Sequence, residues 1–437
     1  MPLHPSAIWQ RLLSTFWFIP SLVTLGAIGC ALGFIELDRR SSDASDLVGF
    51  IYGGGPAGAR AVLSALAGSM ITVVSVTFSV TVVALTVSSQ HFGPRLLSNF
   101  MRDKAAQLVL GTFIGTFAYA LVVLRTVRGE SDEISAFVPH LAVTGAMFLA
   151  LTSVAMLIYY VHHVSASMQV SEITAAVVGD LERSIERMYP EPLGKGLDHG
   201  RSAPPVPPDA VAVEASRSGY LQAVGSDDLL AIARDCETVV WLLVRPGDFV
   251  TRGGLLAHVS PPPPDVQAIK RRLNDALVLG ADRSVHQDPG FPVQQLVEVA
   301  LHALSPGMNE PFTAITCLDR LGQGLALLAG RETPSALRAD DSGQLRAVTV
   351  PLGFSDLLAA AFDPMRPYAA KDPTVARHVI DVLARVARQT TRLEDLDAIR
   401  RQGRLMADAA IRSLEGDADS EAVRAASRHL EAALQRG

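Results

Sequence analysis

Four long, mostly uncharged runs occupy the first part of the chain, and beyond them polar and apolar positions alternate at closer spacing. The runs cover residues 12–37, 62–89, 105–127 and 139–162. Each run is long enough to cross a hydrocarbon core about 30 Å thick as a single α-helix. The pattern therefore predicts an integral membrane α-helical domain over residues 1–165, with four transmembrane helices.

The rest of the chain predicts a soluble α+β domain. Residues 166–208 combine an amphipathic helix with a Pro/Gly-rich linker, because helical spacing there gives way to turn-forming residues. Residues 209–260 contain short β-forming runs separated by Gly-rich turns, which predicts a small β-sandwich-like module. Residues 261–437 show helical periodicity almost throughout and predict a mainly helical domain with a bundle.

The second run carries a line of small and hydroxyl-bearing residues. Alternating steps of four and three place them on one helix face. We call this face the seam; it consists of Gly68, Thr72, Ser75, Ser79, Val82, Thr86 and Ser89. Small residues let helices pack closely in a bilayer, which is the more common use of such a face. Alternatively, the hydroxyl groups line a path for ions or small solutes.

Two further patterns lie in the other membrane runs. Gly111 and Gly115 form a GxxxG pair in the third run, which predicts a close approach between two helices. The fourth run ends in tyrosine and histidine residues at 159–163. We interpret these as a belt at the membrane–water interface rather than as metal ligands.

Composition limits the function classes. The 437 residues carry a net charge of −6 without a basic cluster, which argues against nucleic-acid binding. The mean hydropathy of +0.27 is typical of a chain that is part membrane protein and part soluble protein. Cys30, Cys236 and Cys317 are far apart and indicate neither a disulfide framework nor a zinc site.

The placement in the membrane is predicted from weaker signals. The first run is too long for a signal-peptide core and precedes no small-residue cleavage site, so we expect a retained anchor. Basic residues are divided almost equally between the loops on the two sides, so the positive-inside rule gives little direction. The unpaired cysteines favour a cytoplasmic C-terminal domain.

Two polar loops flank a predicted helix at residues 292–305. The candidate site residues in these loops are His286, Asp288, Asn309 and Glu310. Asn and acidic residues at such junctions commonly cap helices, and Pro311 would then be the first residue of the next helix. Alternatively, the four side chains converge on a ligand or on a neighbouring subunit.

The sequence contains no motif that indicates an enzyme, a metal site or a cofactor site. Glu298 and His302 lie four residues apart, but no third ligand is evident, so we interpret them as a surface pair. The chain has no GxSxG, no P-loop and no GxGxxG followed by an acidic residue. We therefore predict that it is not an enzyme.

Four passages resemble a known family. They are FSVTVVALTVSSQHFGPRLL at 78–97, SGYLQAVGSDDLLAIA at 218–233, RPGDFVTRGGLLAHV at 245–259 and QDPGFPVQQLVEVALHALSPGMNEPFTAITCLDRL at 287–321. Together they resemble domain-of-unknown-function family 2254, a family of bacterial predicted membrane proteins. One departure is Glu310, where the family usually has Asp before the proline. The resemblance implies a multi-pass protein of the bacterial cytoplasmic membrane and implies no activity.

Two functional hypotheses follow from these patterns. In the first, the chain forms a homo-oligomer in the lipid bilayer around a channel-like conduit for ions or small solutes. The seam then lines the conduit, and the soluble domain gates it. In the alternative, the chain is a non-conducting scaffold or sensor. The seam then packs helices, and the polar loops bind a partner or ligand.

Overall fold

The computed structural model describes residues 17–40, 52–92, 103–129, 136–167, 169–189, 195–196 and 203–435. The chain divides into two compact units, Met1–Gln169 and Val170–Gly437. The start of the first predicted span at 12–16 lies outside the described residues, and so does most of the linker between 190 and 202. Nothing is described of the side chain of Ser89.

Four long apolar helices form the first unit, and they confirm the membrane part of the predicted fold class. They are α1 (Phe18–Arg40), α2 (Pro56–Phe92), α3 (Lys104–Thr126) and α4 (His140–Ser167). Each has the length and hydropathy of a membrane-spanning helix. α2 begins at Pro56 rather than near residue 62, because proline is well suited to the first turn of a helix.

α3 is the central helix of the first unit. Half of its apolar stretch is buried, against 11–22 % for the other three helices, and it packs against all three of them. A Cβ atom at Gly111 would lie 3.0 Å from the Cα of Pro20 and 3.1 Å from the Cβ of Val23. At Gly115 it would lie 3.2 Å from the Cβ of Ala27. The GxxxG pair is therefore the place where α3 approaches α1 closely.

The second unit is a mixture of helices and short strands, which confirms the predicted α+β class. Its helices are α5 (Val170–Met188), α6 (Ser226–Asp235), α7 (Val266–Ala276), α8 (Gly290–Ala303), α9 (Pro311–Ala329), α10 (Phe354–Phe362), α11 (Arg366–Ala369), α12 (Pro373–Ala387), α13 (Leu393–Ser413) and α14 (Asp417–Leu434). Its strands are β1 (Lys195–Gly196), β2 (Val211–Glu214), β3 (Gly219–Val224), β4 (Val239–Leu242), β5 (Phe249–Val250), β6 (Leu255–Ser260), β7 (Leu277–Gly280), β8 (Leu337–Ala339) and β9 (Leu345–Val348).

The strands form two sheets around a shared apolar core. The larger sheet has the order β1-β8-β9-β4-β6-β2, and the smaller sheet has the order β5-β3-β7. β4 and β9 pair in parallel, with Val240 opposite Ala347 and Trp241 opposite Val348. Residues from both sheets and from α6 and α7 share one buried cluster. The core of the β region is therefore continuous between the two sheets.

Both sheets take strands from beyond residue 260, where the predicted β module ends. β7 completes the smaller sheet, and β8 and β9 join the larger one. The sequence pattern hides β7 because its apolar residues follow α7 directly and continue the helical spacing. β8 has only three residues, too few to show a period of its own.

The helices outside the sheets bury their apolar faces against one another. α12 packs against α9, α13 and α14, and its Val379, Ile380 and Leu383 are fully buried. α5, the predicted amphipathic helix, packs its buried face against α8 and α9 within the second unit. Because α5 lies after the boundary at Gln169, it belongs to the second unit rather than to the membrane helices.

Candidate functional site

The seam lies on the side of α2 that faces away from the other three helices. All of its residues from Gly68 to Thr86 are exposed, and a Cβ atom at Gly68 would meet nothing within 4 Å. The buried positions of α2 are Ala59, Leu63, Ala67, Met70 and Thr77. At 3.6 residues per turn the centre of this buried face lies roughly 150° around the helix from the centre of the seam. The seam therefore has no partner among the described residues of its own unit.

The hydroxyl groups of the seam bond to their own helix. Ser75 donates to the carbonyl of Ile71 and Ser79 donates to the carbonyl of Ser75, each at 2.9 Å. Thr72 and Thr86 make the same bond to the carbonyl four residues earlier. Each hydroxyl proton is thereby used inside the helix, so the oxygen lone pairs remain outward as acceptors.

Hydroxyl contacts between helices occur at other positions. The hydroxyl groups of Thr81 and Tyr160 join α2 to α4. Those of Thr116 and Ser153 join α3 to α4 at 3.0 Å. The helices of the first unit therefore use hydroxyl bonds for packing, but the residues that make them lie off the seam.

The loop before α8 is built around the buried carboxylate of Asp288. This side chain is 2 % exposed and accepts from the guanidinium of Arg283 at 2.7 and 2.8 Å. Burial raises the pKa of Asp288, while Arg283 and the backbone N–H groups of Gly290 and Phe291 act in the opposite direction. Arg283 also lies over the ring of Phe291, 5.4 Å from its centroid. These contacts fix the loop itself.

His286 lies on the outer side of the same loop. Arg187 of α5 donates to its backbone carbonyl at 2.6 Å and lies 3.1 Å from its Nδ1 atom. Partial burial lowers the pKa of His286, and the nearby positive charge of Arg187 lowers it further. A neutral imidazole is therefore favoured here.

Asn309 and Glu310 lie at the opposite end of α8. A 14-residue helix is about 20 Å long, so these side chains do not meet His286 and Asp288 on one ligand. Glu310 occupies the N-cap position of α9 and Pro311 begins that helix, as the capping interpretation predicts. The Glu310 carboxylate accepts from Thr313 Oγ1 at 3.1 Å instead of bonding to the backbone donors of the helix. The capping interpretation is therefore right in position but not in bonding.

Sequence reasoning missed a pocket in the second unit, with a cavity volume of about 90 Å³. Its walls come from the ends of α5, β3, β4 and β9 and from the loop before α8. Gln287 fixes one wall: its amide oxygen accepts from Val224 N–H at 2.9 Å and its amide nitrogen donates to the Val224 carbonyl at 3.2 Å. Tyr189 donates to the carbonyl of Leu352 and fixes another. The lining residues come from seven separate segments, so no short motif marks the pocket.

The described residues contain no cluster of three or more His, Cys, Asp or Glu side chains that fits a metal ion. In the fourth membrane helix, His163 lies 2.6 Å from Asp103, the N-cap residue of α3. The histidine of the predicted interfacial belt is thus engaged in a contact between two helices.

Comparison with known proteins places the chain among membrane proteins. The family model "Predicted membrane protein (DUF2254)" matches residues 13–385. Uncharacterized proteins of Mycobacterium bovis and Mycobacterium tuberculosis are each 33 % identical to it, over 98 % of this chain and 82 % of theirs. No solved structure matches the chain significantly.

Proposed function

We propose that this chain, which belongs to the DUF2254 family of predicted membrane proteins, forms a homo-oligomeric conduit for ions or small solutes. The conduit spans the bacterial cytoplasmic membrane. The seam of α2 lines it, and the second unit gates it from the cytoplasm.

The position of the seam is the observation that carries this proposal. Among the described residues of the first unit the seam faces outward, so a path lined by it requires α2 helices from several copies around a common axis. Large apolar side chains flank it, including Ile71, Phe78 and Val83. A surface meant only for lipid would have no need of a polar stripe between such side chains.

The bonding of the seam hydroxyls supports a path for cations or for water. Because Ser75 and Ser79 donate their protons to their own helix, their outward oxygens accept but do not donate. Rings of such oxygens replace part of the hydration shell of a cation. Cations are therefore the solutes that this lining favours.

The free cysteines of the second unit support the proposed orientation. Cys236 and Cys317 are both free thiols. Free thiols are maintained in a reducing compartment such as the cytoplasm. A second unit on the cytoplasmic side can then respond to signals inside the cell.

Single-channel recording in planar bilayers tests the proposal with two matched variants. Ser79→Trp introduces a large ring on the seam. Val80→Trp introduces the same ring at the next residue, which is 44 % exposed and lies about 100° around the helix from Ser79. We expect discrete openings for the wild type and for Val80→Trp. We expect none for Ser79→Trp, whose oligomer should persist in native mass spectrometry.

A second candidate function is a non-conducting scaffold, which the internally bonded hydroxyls also favour because they leave a smooth surface for close packing. On that hypothesis Ser79→Trp breaks the oligomer, because a ring cannot fit a close helix contact. A silent wild type together with a dissociated Ser79→Trp variant would contradict the conduit and support the scaffold.

A further inference from the structure

The pocket of the second unit lies at the carboxyl ends of two parallel strands. β4 ends at Leu242, and the pocket is lined there by Leu242, Val244 and Arg245. β9 ends at Val348, and the residues from Thr349 to Leu352 line the opposite part. The crevice beyond the carboxyl ends of parallel strands is a recurrent place for ligands. Its position is therefore that of a binding site.

The lining combines an apolar wall with positive charge. Ten of the sixteen lining residues are Met, Val, Leu or Pro, two are arginine and none is acidic. Arg338 is 3 % exposed and already has an interaction partner, so Arg245 is the arginine that we consider for a ligand. An apolar lining with a few placed polar groups is typical of small-molecule sites. Arg245 supplies a positive charge for an acidic group on a ligand.

Arg245 is held at the pocket by two ion pairs that are open to solvent. Its guanidinium lies 3.6 Å from Asp356 and 4.0 Å from Asp248. Both carboxylates are nearly half exposed, so solvent screens these ion pairs, which are worth about 0–1 kcal/mol each. A carboxylate inside the pocket can therefore compete for the Arg245 guanidinium.

The size of the cavity limits the ligand. The cavity has a volume of about 90 Å³, and one water molecule needs roughly 10–15 Å³ of such a volume. The space is therefore that of several waters, or of a ring system with a short acidic group.

We infer that the pocket between the ends of β4 and β9 binds a small apolar carboxylate, with its acidic group at Arg245 and its apolar body against Leu242, Val350 and Leu352. This inference does not depend on whether the membrane unit conducts. A site of this kind gives the second unit a way to sense a small organic acid.

Calorimetric titration of the full chain in lipid nanodiscs tests the inference, with empty nanodiscs as the blank. The probes are 2-naphthoate and its neutral amide, 2-naphthamide, which have nearly the same shape. We expect saturable binding of 2-naphthoate, and about tenfold or more weaker binding of the amide, because charge-assisted hydrogen bonds to arginine are lost. Equal affinities for the two probes would overturn the inference.

Two tryptophan variants locate the binding. Val350 lines the pocket and is 47 % exposed, and Val278 on β7 is 40 % exposed but does not line it. Val350→Trp should abolish 2-naphthoate binding, whereas Val278→Trp should bind as the wild type does. Unchanged binding by Val350→Trp would place the probe elsewhere and overturn the inference.

A charge variant keeps the test decisive if Val350→Trp does not fold. Arg245→Gln should weaken 2-naphthoate binding about tenfold or more and leave the affinity for 2-naphthamide unchanged. An equal loss of both probes, or no loss of either, would contradict the role assigned to the Arg245 charge.

Discussion

Gly247 and Gly253 lie in the turns on either side of β5 and both have a positive φ angle, but they have different surroundings. Their φ angles are +99° and +80°. A Cβ atom at Gly247 would lie 2.5 Å from Asp288 Oδ2 and 2.9 Å from Arg283 Nη2, whereas one at Gly253 would meet nothing within 4 Å. Gly247 is therefore needed both for its backbone conformation and for the space occupied by a buried ion pair.

Alanine variants at these two glycines separate the two effects. Gly253→Ala should lower the free energy of unfolding by about 1–2 kcal/mol, because an L-residue is strained at positive φ. Gly247→Ala should lower it by about 3–5 kcal/mol more, because it also separates Asp288 from Arg283. Denaturant unfolding of the full chain in nanodiscs measures both. Equal losses for the two variants would show that the ion pair does not hold this turn.

At the scale of the elements, the contact between α1 and α3 depends on two glycines of α3, which have no side chain to keep the helices apart. Gly111 and Gly115 let the backbones approach, and no polar bond is needed at that contact. Gly26 of α1 provides the comparison, because a Cβ atom there would meet nothing within 4 Å. The same substitution at Gly111 and at Gly26 therefore separates the effect of the helix contact from the effect of replacing a glycine.

Valine substitutions measure this contact. Gly111→Val should destabilise the first unit by about 1–3 kcal/mol, because its methyl groups overlap Pro20 and Val23. Gly26→Val should be nearly neutral, since its side chain points to open space. The measurement is the fraction of folded protein that remains after a heating series, read by size-exclusion chromatography. If both variants lose the same fraction, α1 does not pack at Gly111.

The membrane helices and most soluble helices could be predicted because their patterns are local. Uncharged length identifies α1 to α4, and Pro311 after a polar loop marks the start of α9. β7 could not be predicted, because it pairs with β3, which lies far away along the chain. β8 could not be predicted because it has only three residues. The same holds for the pocket, because segments far apart in the sequence come together to line it only after folding.

The four candidate loop residues show a different limit of sequence reasoning. Their polarity and turn chemistry are evident in the sequence, but the length of α8 separates them into two pairs. Asp288 stabilises its own loop through the ion pair with Arg283, and Glu310 lies at the N-cap position of α9. A polar loop on each side of a helix therefore indicates two helix ends and not one site.

At the scale of the whole molecule, the central claim is that copies of α2 face one another across water. Seam and buried face lie on opposite sides of the same helix, so every copy can keep its own packing and still present the seam. Closed rotational symmetry then brings the seams to a common axis. The claim predicts that positions on the seam are accessible to water and that exposed positions off the seam are not.

Cysteine accessibility along α2 tests this claim most directly. The full chain with Cys30→Ala and Cys236→Ala is the background, because burial raises the pKa of the Cys317 thiol to about 12 and keeps it unreactive. The account predicts that a charged, water-soluble methanethiosulfonate modifies Ser75→Cys and Ser79→Cys rapidly and Val80→Cys hardly at all. Equal protection of all three thiols would contradict a water-filled path along the seam.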